Sequence, residues 1–359
     1  MRSALLTAIA SLAGLLVGCG GSTSDKPLDI GHLHSGSPDD AEYKALQLAV
    51  EELNKDPGRR LKSRPIAIRH APGGTKPEEW GAQAARLIAL NKVHAVIGAD
   101  RWSAAERVGT TVQGENVLAI SPAGWAGLPP SQNLFTVGLA PEERGRVLAV
   151  VAKEVAKGGI LILRDPAAKA ANVAADRFAA DCRAFAPVTE VELSVAKKPA
   201  AAIVFFACSA RQAIEQREPF QGALFLFGDE DAEVSTLLEG PGADGFHIAT
   251  AYDPTLKPER LAAFARGYEE KFKQPPTAGA MLIHDALTVW VEAARRADNA
   301  DLEAAAIRAE LLKRDKPFEV LTGTLTFADD HTARRPIFVG RVSGGKLVDV
   351  KSYDAAPAK

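Results

Sequence analysis

Two short runs hold residue types suited to gripping a ligand. Asp100-Arg101-Trp102-Ser103 follows the apolar run His94-Ala95-Val96-Ile97-Gly98, and Ala123-Gly124-Trp125 follows Val117-Leu118-Ala119-Ile120-Ser121-Pro122. An indole buries a large flat surface while its N–H keeps a polar contact, and its face attracts cations. Two tryptophans on one crevice therefore suit a flat apolar or cationic ligand, with core packing as the competing reading. Arg101, and Lys169 further along, offer positive charge to an anionic group, although a solvated face is the more usual fate of such side chains. Ser103 offers a hydroxyl, or else a capping pair with Glu106 at the start of a helix.

Other reactive types lead less far. His32 and His34 flank the exit of the first apolar run and His70 ends the second, so three imidazoles are expected near one mouth. Their spacing matches no defined metal site, and neither a metal nor a cofactor is expected. No phosphate loop or nucleophile elbow is present, nor any Cys/His or Ser/His/Asp set that the element order would bring together. Catalytic residues are thus not expected, and an enzyme is the weakest reading.

The elements that must hold the two tryptophan runs are legible. Both apolar runs have strand length, and residues 103–114 between them have a helical pattern, which makes a βαβ unit. In an open parallel sheet, ligands bind beyond the carboxyl ends of the strands, so the residues after Gly98 and after Ser121 should share one site. The same alternation surrounds them. Strands are expected at 28–33 and 66–68, with helices opening at Ser37-Pro38-Asp39-Asp40 and at Thr75-Lys76-Pro77-Glu78. A short strand at 135–137 and a helix from Pro141 follow. Apolar strands at 159–163, 201–206, 224–227 and 246–250 build a second lobe. Amphipathic helices at 261–273, 281–297 and 302–313 come next, and antiparallel strands at 323–327 and 337–342 close the chain.

The length of 359 residues exceeds one ordinary domain, so two lobes are expected. A net charge of −2 carries no basic footprint, which argues against nucleic acid as a partner. The N-terminus reads as a signal peptide over residues 1–18: Met1-Arg2, an apolar run from Ala4 to Val17, then small residues. After it, no run is long and apolar enough to span a membrane. Cys182 and Cys208 fall late in a helix and at the exit of a strand, at opposite ends of a βα layer, which disfavours a disulfide.

Leu16-Val17-Gly18-Cys19 resembles a bacterial lipobox. The resemblance implies cleavage before Cys19, lipidation there, a polar tether over 19–26 and a membrane anchor facing the periplasm or cell exterior; several acyl chains anchor stably where one does not. More broadly, the chain resembles the type I periplasmic solute-binding proteins, the branched-chain amino-acid receptors of ABC importers. The matching pieces are Ile30-Gly31 with the Ser35-Gly36 loop, Ala49-Val50-Glu51-Glu52-Leu53-Asn54, Val96-Ile97-Gly98, Ile120-Ser121-Pro122-Ala123, Phe135 followed by Gly145, the pattern from Tyr268 to His284-Asp285-Ala286, and Arg335-Pro336-Ile337-Phe338-Val339.

That resemblance implies an α/β fold of two Rossmann-like lobes joined by a three-segment hinge. The N-terminal lobe would comprise 27–138 and 250–323, and the C-terminal lobe 139–249 and 324–355. It implies a small-molecule ligand held between closing lobes and an ABC permease as partner. Carried over residue by residue, the family's carboxylate-gripping serine and threonine fall on Trp102 and Trp125, beside the backbone of Ala123. Its aromatic wall falls near Lys169 and Ser209, and the acid for the ligand's ammonium falls at Glu230, next to Asp229. Both hydroxyls are therefore missing, and only the acid is kept. Between Glu192 and Ala201 the family's helix is replaced by space for a turn. The expected function is capture of an amino-acid-like, amide or aromatic compound for import; a lipid-anchored sensor or scaffold is the competing class.

Overall fold

The computed structural model describes residues 26–356, apart from 37–39, 57, 59, 128, 156–157, 196–197, 230 and 254–257. The signal peptide, Cys19, Glu230 and the expected helix opening at Ser37-Pro38-Asp39 lie outside the described residues.

The chain begins with β1 (Leu28–His34), α1 (Ala41–Lys55), β2 (Ile66–Pro72), α2 (Pro77–Asn91), β3 (Ala95–Gly98), α3 (Trp102–Val112), β4 (Leu118–Ser121) and β5 (Leu134–Thr136). These strands form one parallel sheet in the order β2-β1-β3-β4-β5. β3 and β4 are buried at every position. A strand covered on both faces has no polar side, so both runs are continuously apolar rather than alternating.

A second series follows: α4 (Pro141–Val155), β6 (Ile160–Arg164), α5 (Lys169–Cys182), β7 (Val188–Glu192), β8 (Ile203–Ala207), α6 (Ala210–Gln216), β9 (Leu224–Phe227), α7 (Asp231–Glu239) and β10 (Phe246–Thr250). Then come α8 (Glu259–Phe272), α9 (Ala278–Ala297), α10 (Ala304–Leu311), β11 (Phe318–Val320), β12 (Gly323–Phe327), β13 (Ala333–Arg334), β14 (Ile337–Ser343) and β15 (Lys346–Tyr353). The second sheet runs β15-β14-β10-β9-β8-β6-β7, parallel except for the antiparallel pair β14 and β15 at one edge.

Each sheet is covered on both faces. In the N-terminal lobe, α1, α8, α9 and α10 pack on one face and α2 with α3 on the other. In the C-terminal lobe, α4 and α5 cover one face and α6 with α7 the other. Cys182 belongs to the first of those C-terminal layers and Cys208 to the second, so the sheet separates them and both are free thiols. Burial pushes the Cys182 thiol up to about 12 and also raises that of Cys208.

Two local expectations are corrected. α1 is capped by Asp40, whose side chain accepts from the Glu42 N–H, and starts at Ala41. α3 starts one residue before Ser103, with Arg101 as its cap, so Ser103 and Glu106 make no capping pair. The third crossing between lobes lies toward Arg335. Leu325, Phe327 and Ala333 sit in the N-terminal core, and the chain enters the second sheet at Ile337. Strands β7 and β15 escaped the sequence reading. Both have one or both faces exposed, which removes the apolar run that marks a buried strand. After Glu192 the described residues hold a turn and no helix before β8.

The crossings are pinned by buried charge. Arg335 donates to the Val137 carbonyl at 2.9 Å and lies 3.5 Å from Asp285 on α9. Asp285 also accepts from the Leu321 N–H at 2.8 Å and from the Thr322 hydroxyl. Burial still pushes its carboxyl up to about 6, against the pull of Arg335. At the other two crossings, Arg144 pairs with Asp231 at 2.9 Å and donates to the Ala249 carbonyl, while the Leu139 N–H donates to Asp231 at 3.2 Å.

Candidate functional site

The carboxyl ends of both parallel sheets point toward each other, and the residues just beyond them line the space between the lobes. At the end of β3 the chain turns sharply. Gly98 has φ 125°, and a Cβ there would lie 2.0 Å from the Leu33 carbonyl oxygen, so only glycine fits beside β1. Ala99 follows at φ 65°, a strained conformation for a residue with a Cβ, of the sort held by surrounding structure at functional positions. The turn delivers Asp100 and Arg101 to the interlobe space and Trp102 to the first position of α3.

Trp102 and Trp125 stack on each other, with ring centroids 4.6 Å apart and an interplanar angle of 27°. Trp125 is 5% exposed and belongs to the core layer under α2 and α3, against which the half-buried Trp102 packs. The two indoles the sequence places on one edge thus meet. One face of each is spent on the other.

The remaining candidates divide. The Ala123 N–H donates to Ser121 Oγ at 3.0 Å, which in turn donates to the Ala99 carbonyl, so that turn is satisfied internally. Ser209 caps α6: its hydroxyl donates to Gln212 Oε1 at 2.8 Å and accepts from the Gln212 N–H. Lys169 is exposed and pairs across the lobes with Glu106 at 3.5 Å. Arg101 likewise reaches across to Glu233 at 3.0 Å, and Glu233 also accepts from the Ala210 N–H. Both cations thus meet carboxylates of the opposite lobe. Ser103 is half-buried on the first turn of α3.

A cavity of about 140 Å³ opens between the lobes, lined by Asp40, Glu42, Asp100, Arg101 and Leu282 on one side and Asp231 on the other. Sequence reading named Asp40 only as a helix-start acid and missed Glu42 altogether. Asp40 and Asp100 both lie within a few residues of a strand's carboxyl end, which is the signal that marks this edge. Glu42 lies inside a helix and carries no such signal. Burial holds its carboxyl well above the usual range, with Asp100 and Asp40 raising it further and Arg101 opposing. Asp100 is raised for the same first reason.

The three histidines do gather. His32 and His70 are register partners on β1 and β2. Their Nδ1 atoms lie 2.9 Å apart, and the Tyr43 ring stacks on His70 at 3.7 Å. Burial lowers the pKa of all three imidazoles, His70 to about 4. Among the described residues, no three His, Cys, Asp or Glu are arranged to hold a metal ion.

Comparisons with known proteins agree with this architecture. No curated protein sequence matches the chain. Solved structures of similar fold include the branched-chain amino acid transporter substrate-binding protein LivJ from Streptococcus pneumoniae in complex with isoleucine. It is 19% identical, with a TM-score of 0.77 over 92% of this chain and 100% of that one. A solute-binding protein of an ABC transporter from Rhodopseudomonas palustris, in complex with 3,4-dihydroxybenzoic acid, is 17% identical, with a TM-score of 0.73 over 92% of this chain and 98% of that one. The leucine-binding protein LivK from Thermotoga maritima is also 17% identical, with a TM-score of 0.72 over 91% and 97%. A family description, periplasmic binding protein, matches residues 35–187 and 202–346, which takes in both lobes and all three crossings, and the chain belongs to that family.

Proposed function

We propose that the protein captures a small molecule between its two lobes and presents it to an ABC permease from the outer side of the membrane. The observation that carries this reading is the pairing of two sheet ends across a cavity, with ion pairs from each lobe to the other already closing the gap. Receptors of this architecture hold ligand by hinge closure. Relatives of the same fold are described with isoleucine and with an aromatic acid, so amino-acid-like, amide and aromatic compounds are the classes to try. Cys19, at the end of the signal-like segment, is the proposed point of lipid attachment to the membrane.

Trp102 and Ser103, with Glu230 carried over from the family resemblance alone, are the proposed ligand contacts among the residues singled out from sequence. Ala123 and Trp125 support them from behind, and Lys169 and Ser209 frame the opposite rim. With indoles where relatives place hydroxyls, a free branched-chain amino acid loses two partners for its carboxylate. Plain leucine and valine are therefore expected not to bind.

The test is a thermal-shift screen of the purified protein against amino acids, amides, aromatic acids and amines. A ligand present at a hundred times its Kd stabilises by about 2.7 kcal/mol. A clear rise in Tm with one class supports the reading; no stabilisation by any class counts against it.

A further inference from the structure

We propose that the interlobe cavity is a site for a cationic group, an ammonium or guanidinium, on the captured molecule. This rests on the solute-binding reading above and names the chemistry of one end of the solute.

Three carboxylates of the N-terminal lobe converge on the cavity, and a fourth comes from the C-terminal lobe. Asp40 spends its oxygens on the Glu42 N–H at 3.0 Å and the Ser35 hydroxyl at 3.2 Å. Asp231 is likewise occupied, by Arg144 and the Leu139 N–H. Glu42 and Asp100 differ. Glu42 is only 7% exposed, and its Oε2 is buried without a hydrogen-bond partner; Asp100 Oδ1 is in the same condition. A buried carboxylate oxygen with no donor is costly unless something else satisfies it. Both face a cavity with space for it.

The cation already nearby does not meet this need. Arg101 lines the cavity but is drawn across the lobes to Glu233. Around Glu42 and Asp100 the charges are therefore Asp40, Asp231 and Glu233 against Arg101 and Arg144, leaving the cavity net acidic with Glu42 and Asp100 themselves. Anions such as benzoates are disfavoured there, and a positively charged group gains two charge-assisted hydrogen bonds.

Shape points the same way. Gly279 on α9 lines the cavity, and a Cβ at that position would lie 2.9 Å from Glu42 Oε1. The absent side chain is what leaves room for the Glu42 carboxyl. At about 140 Å³ the cavity is smaller than a whole ligand pocket, about 300 Å³ or more, and holds one end of a molecule.

The experiment uses isothermal titration of the whole mature chain with agmatine and L-arginine, and with isovaleramide and benzoate, which carry no cation, for comparison. At least one cation should bind and the neutral-ended or anionic probes should not. Glu42→Gln and Asp100→Asn, which keep shape and remove charge, should each weaken the cation by about 10- to 100-fold. Gly279→Ala should weaken it independently by crowding Glu42. Burial raises the Glu42 carboxyl, so cation affinity should rise with pH in the wild type and lose that rise in Glu42→Gln.

Binding of isovaleramide or benzoate without either cation would overturn the cavity assignment and leave the solute-binding reading standing. So would cation binding that both charge variants match. Binding of no probe from any class would count against both readings. Retained melting behaviour of the variants separates lost binding from lost folding.

Discussion

Trp125 shows which part of a residue's role its position in the sequence reveals. Its place after a Ser-Pro-Ala turn was readable, because turn residues end strands in a recognisable way. That its ring would be 95% buried against Trp102 and the layer under α2 and α3 was not readable, since packing partners come from 23 residues away in sequence. Replacing Trp125 by alanine should lower stability by about 3–5 kcal/mol in a urea titration, as for other buried aromatic truncations. Loss of ligand alone, with unchanged stability, would mean the ring is free to serve the cleft. Asp285 is a second residue of this kind. Nothing in its helical spacing marks it as charged and fully buried, yet it ties α9 to the Arg335 crossing. Asp285→Ala should cost about 3–5 kcal/mol in the same titration by leaving a buried guanidinium unpaired.

At the scale of elements, strands marked by an apolar run or by turn residues at their ends were the most legible. β9, β10 and β12 occupy the residues their sequence pattern marks, and β3, β4, β6 and β8 fall within a few residues of it. Edge strands β7 and β15 were not legible because one side of each meets solvent. Helix starts were the other weakness. Several residues near 37–40 and 101–103 can serve as caps, and tertiary contacts choose among them: Asp40 is selected where it can also meet Ser35. The β1–β2 pair carries a pH dependence. The imidazole of His70 has its pKa lowered from 6.5 to about 4, so the unfolded chain takes up a proton between those values and the folded one does not. Stability contributed here is complete above pH 6.5 and falls as pH drops toward 4. Chemical denaturation at pH 7 and pH 5 should give a lower midpoint at pH 5, and His70→Gln should reduce that difference.

For the whole molecule, two lobes were foreseeable from length and from the order of apolar runs. The exact residue of the third crossing was less legible, because β12 and β13 look alike in sequence whichever lobe takes them. Closure is held in part by Arg101–Glu233 and Lys169–Glu106, each with an exposed cation. Such pairs are worth about 0–1 kcal/mol each and weaken with salt. Small-angle scattering of the ligand-free protein should therefore show a larger radius of gyration in Arg101→Ala with Lys169→Ala than in the wild type, and the wild type should expand as salt is raised. An unchanged radius in both cases would assign closure to other contacts.

The two thiols shielded in the layers of the C-terminal lobe have a practical side. Both are fully buried and held protonated, so maleimides have no native target among the described residues. Once the first 19 residues are removed, a cysteine at Leu90, 72% exposed, and another at Arg211, whose side chain is 87% exposed, would put one dye on each lobe without background. Energy transfer between the two dyes would then report opening and closing directly, one molecule at a time.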